Sequence, residues 1–63
     1  MKLEYDIFEQ QGDGVVWRGV VAGLYNVRLK LAELAESTGN ECFAMHTPTK
    51  EVVARVNTAR PAQ

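Results

Sequence analysis

The hydrophobic period of this chain changes twice, from two residues to 3.6 and back to two, and few folds can satisfy that pattern. Over Lys2–Glu9 apolar and charged residues alternate, with Leu3, Tyr5 and Ile7 on one side and Lys2, Glu4, Asp6 and Phe8 on the other. Such alternation marks a half-buried strand. Gly12-Asp13-Gly14 follows, and glycines there supply the positive φ angles of a tight reversal. The β-branched and aromatic run Val15–Ala22 reads as the returning strand of a hairpin. Valines on both of its sides point to a central position in a sheet.

From Gly23 the spacing changes. Leu24, Val27, Leu31, Leu34 and Ala35 recur every three or four residues, which draws one apolar stripe along a helix. Strong helix formers fill Arg28–Glu36. Gly23 offers no side-chain cap at the start, and Gly39-Asn40 predicts a left-handed cap at the end. Cys42–His46 then reads as a short strand with Phe43 and Met45 on one side. Thr47-Pro48-Thr49-Lys50 is a turn with Pro48 at its second position, and Glu51–Val56 returns as the last strand. Residues 58–63 carry little apolar content and predict a disordered tail.

The expectation is therefore an α+β fold, a two-layer ββαββ domain over residues 1–57. It has one helix packed on one face of a four-stranded, mainly antiparallel sheet. Its inner set is Leu3, Tyr5, Ile7, Val15, Trp17, Val21, Leu24, Val27, Leu31, Leu34, Phe43, Met45, Val52, Ala54 and Val56. A slip of one residue exchanges the faces of a strand, so either Trp17 or the Val16/Val20 pair can face the helix. The large apolar area of the indole favours Trp17 inside. Strand order stays open, the simplest arrangement being hairpins side by side with the helix crossing over.

A single helix covers one side of a sheet. The other side is expected to present Phe8, Val16, Val20, Cys42, Ala44 and Val53, interrupted by Glu4, Asp6, Arg18, His46 and Arg55. Apolar patches of that kind mark contact surfaces. A chain of 63 residues also has a small core and gains from association. Phe8, Val16, Arg18, Val20, Ala44, Val53 and Arg55 are the candidate interaction residues, and a homodimer formed through the open face or an edge strand is the expected partner arrangement. An unidentified protein partner is the other possibility.

Charge excludes further classes. Seven Lys and Arg against eight Asp and Glu leave a net charge of -1, which disfavours a domain built to hold nucleic acid. RNA-binding sheets carry two or three solvent-facing aromatics on neighbouring strands, and by this reading only Phe8 qualifies. No segment approaches the roughly 20 apolar residues of a membrane helix, and Met1-Lys2-Leu3-Glu4 precedes no signal-peptide core. A cytoplasmic protein without membrane attachment is expected. Cys42 and His46, four apart in one strand, are separated by about 13 Å, too far for a shared metal or a nucleophile–base pair. Gly12-Asp13-Gly14 lacks phosphate-binding spacing. No catalytic residue, cofactor or metal ligand is expected, and the chain reads as non-enzymatic.

The order Tyr5-x-Ile7-Phe8, a glycine turn, Trp17, Val21-x-Gly23-Leu24, Leu31-Ala32-x-Leu34-Ala35, Glu41-x-Phe43 and Val52-Val53 is similar to small uncharacterised bacterial proteins of hairpin–helix–hairpin pattern. The resemblance covers residues 5–54 and rests on structural positions, so it implies a fold and no activity. Those proteins generally carry Thr-Gly where Thr49-Lys50 stands, which implies a positive φ at Lys50. A weaker likeness is to the antitoxin-type partial RNase H fold, which also runs from a hairpin into a helix. It implies a small toxin-neutralising or nucleic-acid-binding regulator as the alternative function. This chain lacks the glycine-rich turn and acidic helix start of that group, and ends in a hairpin.

Overall fold

The computed structural model describes residues 2–58. Beyond Thr58, the tail expected over 58–63 lies outside the described residues. The elements run β1 (Glu4–Gln11), β2 (Gly14–Ala22), α1 (Leu24–Ser37), β3 (Cys42–His46) and β4 (Glu51–Val56). All strand pairs are antiparallel, and the sheet order is β2-β1-β3-β4. The ββαββ architecture is thus that of an α+β fold, with two hairpins side by side and the helix crossing between them. β2 is an edge strand, contrary to the central position its valines predict. The centre belongs to β1 and β3, where Tyr5, Ile7, Cys42 and Ala44 are buried.

Local chemistry accounts for the boundaries. β1 and β2 are joined by Gly12-Asp13, with Gly12 at φ 60, the left-handed first position that a two-residue hairpin loop demands. Gly23 precedes the helix at φ 84 without a side-chain cap, and its N–H donates to the Leu3 carbonyl at 2.9 Å. The helix has no acidic residue in its first turn and no basic residue in its last, so packing holds it rather than its ends. Its stop differs from the expected left-handed cap at Gly39-Asn40. Thr38 is extended, at φ -146 and ψ 149, and its N–H donates to the Leu34 carbonyl.

Val27, Leu31 and Leu34 are the buried helix residues. They close over Tyr5, Ile7, Cys42 and Ala44, with Val21, Val53, Ala54 and Val56 packed around them. Leu24 follows the same stripe but projects past the sheet and is exposed, as is Leu3; both were expected inside.

Two irregularities decide the remaining sides. Ile7 pairs with Gly19 but Phe8 pairs with Trp17, leaving Arg18 as an extra residue in β2. Ala44 pairs with Ala54 but Met45 with Val52, leaving Val53 extra in β4. Each bulge advances its strand by one residue and exchanges the sides on which side chains emerge. Val21, Ala54 and Val56 therefore keep the inward positions expected of them. Val15, Trp17 and Val52 turn to the helix-free side. In β3 the opposite phase holds from the outset: Cys42 and Ala44 face inward, and Phe43 and Met45 outward. Gly19 sits at φ 132 beside the Arg18 bulge, a backbone conformation that glycine adopts without strain.

Lys50 closes the second hairpin at φ 59, with its N–H bonded to the Thr47 carbonyl at 3.1 Å. A left-handed lysine is strained where glycine is not. Replacing Lys50 with Gly is expected to raise stability by about 0.5–1 kcal/mol, net of the extra freedom of the unfolded chain. Lys50→Ala should give no gain, and thermal unfolding of the two variants checks it.

Candidate functional site

The helix-free side of the sheet is organised in rows. Strand pairing aligns Trp17, Phe8, Phe43 and Arg55 across β2, β1, β3 and β4, and beside them Val20, Asp6, Met45 and Val52. Phe8 and Phe43 stack with ring centroids 5.4 Å apart and planes 26° apart. The Arg55 guanidinium carbon lies 5.7 Å from the centre of the Phe43 ring, within cation–π range. At the other end Trp17 is 58% exposed and Val20 50%. Exposed Val15 extends the apolar surface along β2.

Both charges of these rows are already engaged. The Asp6 carboxylate accepts from the Trp17 indole N–H at 3.0 Å and from the Thr47 hydroxyl. Those hydrogen bonds, the Thr47 one first, hold its pKa below the usual carboxylate value. Arg55 donates to Glu41 at 2.8 Å. In these rows Asp6 is thus held by neutral donors, and Arg55 is paired with Glu41.

Of the seven candidate residues, Phe8, Val20 and Arg55 stand on this face. Ala44 does not: it is 0% exposed beneath the helix. Val53 is the bulged residue and packs against the core. Val16 and Arg18 belong to the helix side of β2, Val16 opposite Glu9 and exposed where the helix does not reach. Cys42 and His46, also expected outside, face the helix side; the His46 ring lies 5.9 Å from that of Tyr5. Sequence reasoning missed Trp17, Phe43, Met45 and Val52 as surface residues. The signal available for β3 was the small size of Cys42 and Ala44, which suits a closely packed helix.

A second polar centre lies at one end of the core. Glu9 is only 2% exposed, yet its carboxylate takes Arg18 Nη1 at 2.5 Å, the Thr38 hydroxyl at 2.9 Å and Asn40 Nδ2 at 2.8 Å. Asn57 donates from the end of β4 to the carbonyls of Thr38 and Asn40. The bulge of β2, the helix terminus and both loop ends are thus tied around one anion. The Asn40 and Thr38 hydrogen bonds, outweighing burial, hold Glu9 below its ordinary pKa. Burial, reinforced by the Glu9 charge, pushes the neighbouring Cys42 thiol up, which keeps it protonated and unreactive. This centre is closed to ligands and works as structure.

Other apolar groups surface on the helix. Tyr25 is 73% exposed, and Leu29 lines a groove of about 530 Å³ between β2 and α1 with Val21, Ala22, Asn26, Lys30 and Glu33. Lys30 and Glu33 divide that surface. Among the described residues no group of three His, Cys, Asp or Glu could hold a metal ion, and no helix is long and apolar enough to cross a membrane. Comparison with family models, with curated proteins and with solved structures finds no match.

Because Glu9 ionises more readily folded than unfolded, its contribution is complete above the ordinary glutamate value of 4.5 and is lost as pH falls through the lower folded value. Melting temperature should therefore fall on acidification from about pH 6 to about pH 3. Glu9→Gln keeps the shape but turns an amide donor toward Arg18, Thr38 or Asn40. It should melt several degrees lower at neutral pH, with a flatter profile across that acid window.

Proposed function

We propose that this protein is a non-enzymatic interaction module acting through the helix-free face of its sheet. The observation that carries the reading is the unbroken Trp17–Phe8–Phe43–Arg55 row, flanked by Val20, Met45 and Val52. Trp17 and Val20 are exposed and Phe8, Phe43, Met45 and Val52 half-buried; exposed apolar surface marks contact sites, and aromatic residues with arginine are the usual anchors of interfaces. Self-association through this face or an edge strand needs no other component and suits a chain with so small a core. A closed, fully partnered Glu9 centre and a buried thiol support a binding role over catalysis. The same reading puts the protein in the cytoplasm.

One observation favours a second function. Three aromatics on three adjacent strands, ending in an arginine, resemble the platforms on which single-stranded RNA or DNA stacks its bases. Against it, Glu4, Asp6 and Glu41 lie on the face with Arg55, whose guanidinium is already bonded to Glu41, which leaves little free positive charge for phosphates.

Amide chemical-shift mapping against cell extract fractions tests the first reading. Perturbations are expected to cluster on Trp17, Val20, Phe8, Phe43 and Val52; a cluster on Tyr25 and Leu29 instead would overturn it. Titration with mixed-sequence single-stranded RNA at low and high salt tests the second. A salt-sensitive shift of the same residues would establish it, and flat curves at low salt would remove it.

A further inference from the structure

On the reading that the helix-free face is a contact surface, its lopsided charge constrains what covers it. We infer that the partner is a basic segment of another protein, which seats an arginine or lysine side chain beside Asp6 and Glu4 and against the Trp17 ring.

Two carboxylates at one end of the face set its character. Glu4 and Asp6 stand two apart in β1, so they emerge on one side about 7 Å from each other. The register sets Asp6 between Val20 and Met45, one row from Trp17, Phe8 and Phe43. No ion pair among the described residues includes either carboxylate. Asp6 accepts only from the neutral Trp17 indole and Thr47 hydroxyl, and those bonds favour its ionised form. Its charge thus stands without a counter-ion. Arg55, two strands away in β4, is committed to Glu41 at 2.8 Å.

Shape and ring chemistry agree with that charge. A hollow of about 460 Å³ opens beside Asp6, bordered by Glu4, Val20, Thr47 and Pro48. Lys2 and His46 also border it, but Lys2 lies over Gly23 at the start of the helix and His46 Nδ1 meets the Thr49 hydroxyl. Long basic side chains lay their methylenes on apolar surface and keep the charged head at its margin, an arrangement that Val20 and Pro48 beside two carboxylates accommodate. The exposed Trp17 ring is held next to Asp6 by its own N–H, and aromatic rings attract cations over their faces. Carboxylate and ring favour the same kind of side chain, whereas an acidic partner is repelled.

Amide chemical-shift titration of the whole chain with a peptide of about ten residues alternating Arg and Ser, at low and high salt, tests this. Shifts are expected at Glu4, Asp6, Val20 and the Trp17 indole, with a Kd of about 0.1–1 mM at low salt and several-fold weaker binding at high salt. The matching Glu-Ser peptide should leave those signals in place. Asp6→Asn keeps an acceptor for Trp17 or Thr47 but loses the charge, and should weaken binding about tenfold. Glu4→Gln, at an exposed position, should weaken it about threefold and decides the matter if circular dichroism shows Asp6→Asn unfolded. Arg55→Gln removes a cation and frees Glu41, so it should tighten binding about twofold, while Glu33→Gln on the helix should change nothing. No response to the Arg-Ser peptide at low salt, equal response to the Glu-Ser peptide, or equal loss with Glu33→Gln would overturn the inference. Shifts of the same residues on dilution of the free protein would also overturn it, by placing a second copy on the face. If extract fractions perturb the face and the basic peptide does not, the interaction reading stands and the basic partner alone falls; a cluster on Tyr25 and Leu29 in both experiments removes both.

Discussion

The packing of Val27, Leu31 and Leu34 of α1 on Tyr5, Ile7, Cys42 and Ala44 of the two central strands is the interaction on which the rest of the molecule depends. Cys42 and Ala44 in β3 lie on the side facing α1, where Val27, Leu31 and Leu34 are buried. Because side chains alternate along a strand, seating Cys42 and Ala44 inward sends Phe43 and Met45 outward. The apolar surface proposed for contact follows from how the core was closed.

Glu9 completes that arrangement at the one place where the core holds an anion. An ionised carboxylate so thoroughly removed from water is tolerable only when its acceptor sites are filled. Arg18, Thr38 and Asn40 fill them. The bulge supplies Arg18 and the extended end of the helix supplies Thr38, so two departures from regular structure serve the same group. One end of the domain is thereby fixed by directional bonds, while the remainder relies on packing.

The outer face shows the same economy. Trp17 caps Asp6, and Arg55 lies over Phe43 while bonded to Glu41.

Hydrophobic period, turn chemistry and the order of elements are local properties, and the sequence by itself determined them: strand, glycine turn, strand, helix from Leu24, strand, proline turn, strand. Phe8, Val20 and Arg55 were legible as surface residues because their strands stay in phase with the core on that side of the bulges. Trp17 and Val52 were not, because a bulge depends on how two strands meet and leaves no trace in the alternation of either. Nor was the phase of β3, where both sides are apolar enough to be buried and only contact with the helix chose the smaller pair. Edge or centre for β2, the inward Glu9 and the extended Thr38 likewise depend on residues distant in the chain. Tertiary structure decided them, since each is a competition between side chains for one space or one hydrogen bond, and a linear pattern holds no record of which competitor arrives.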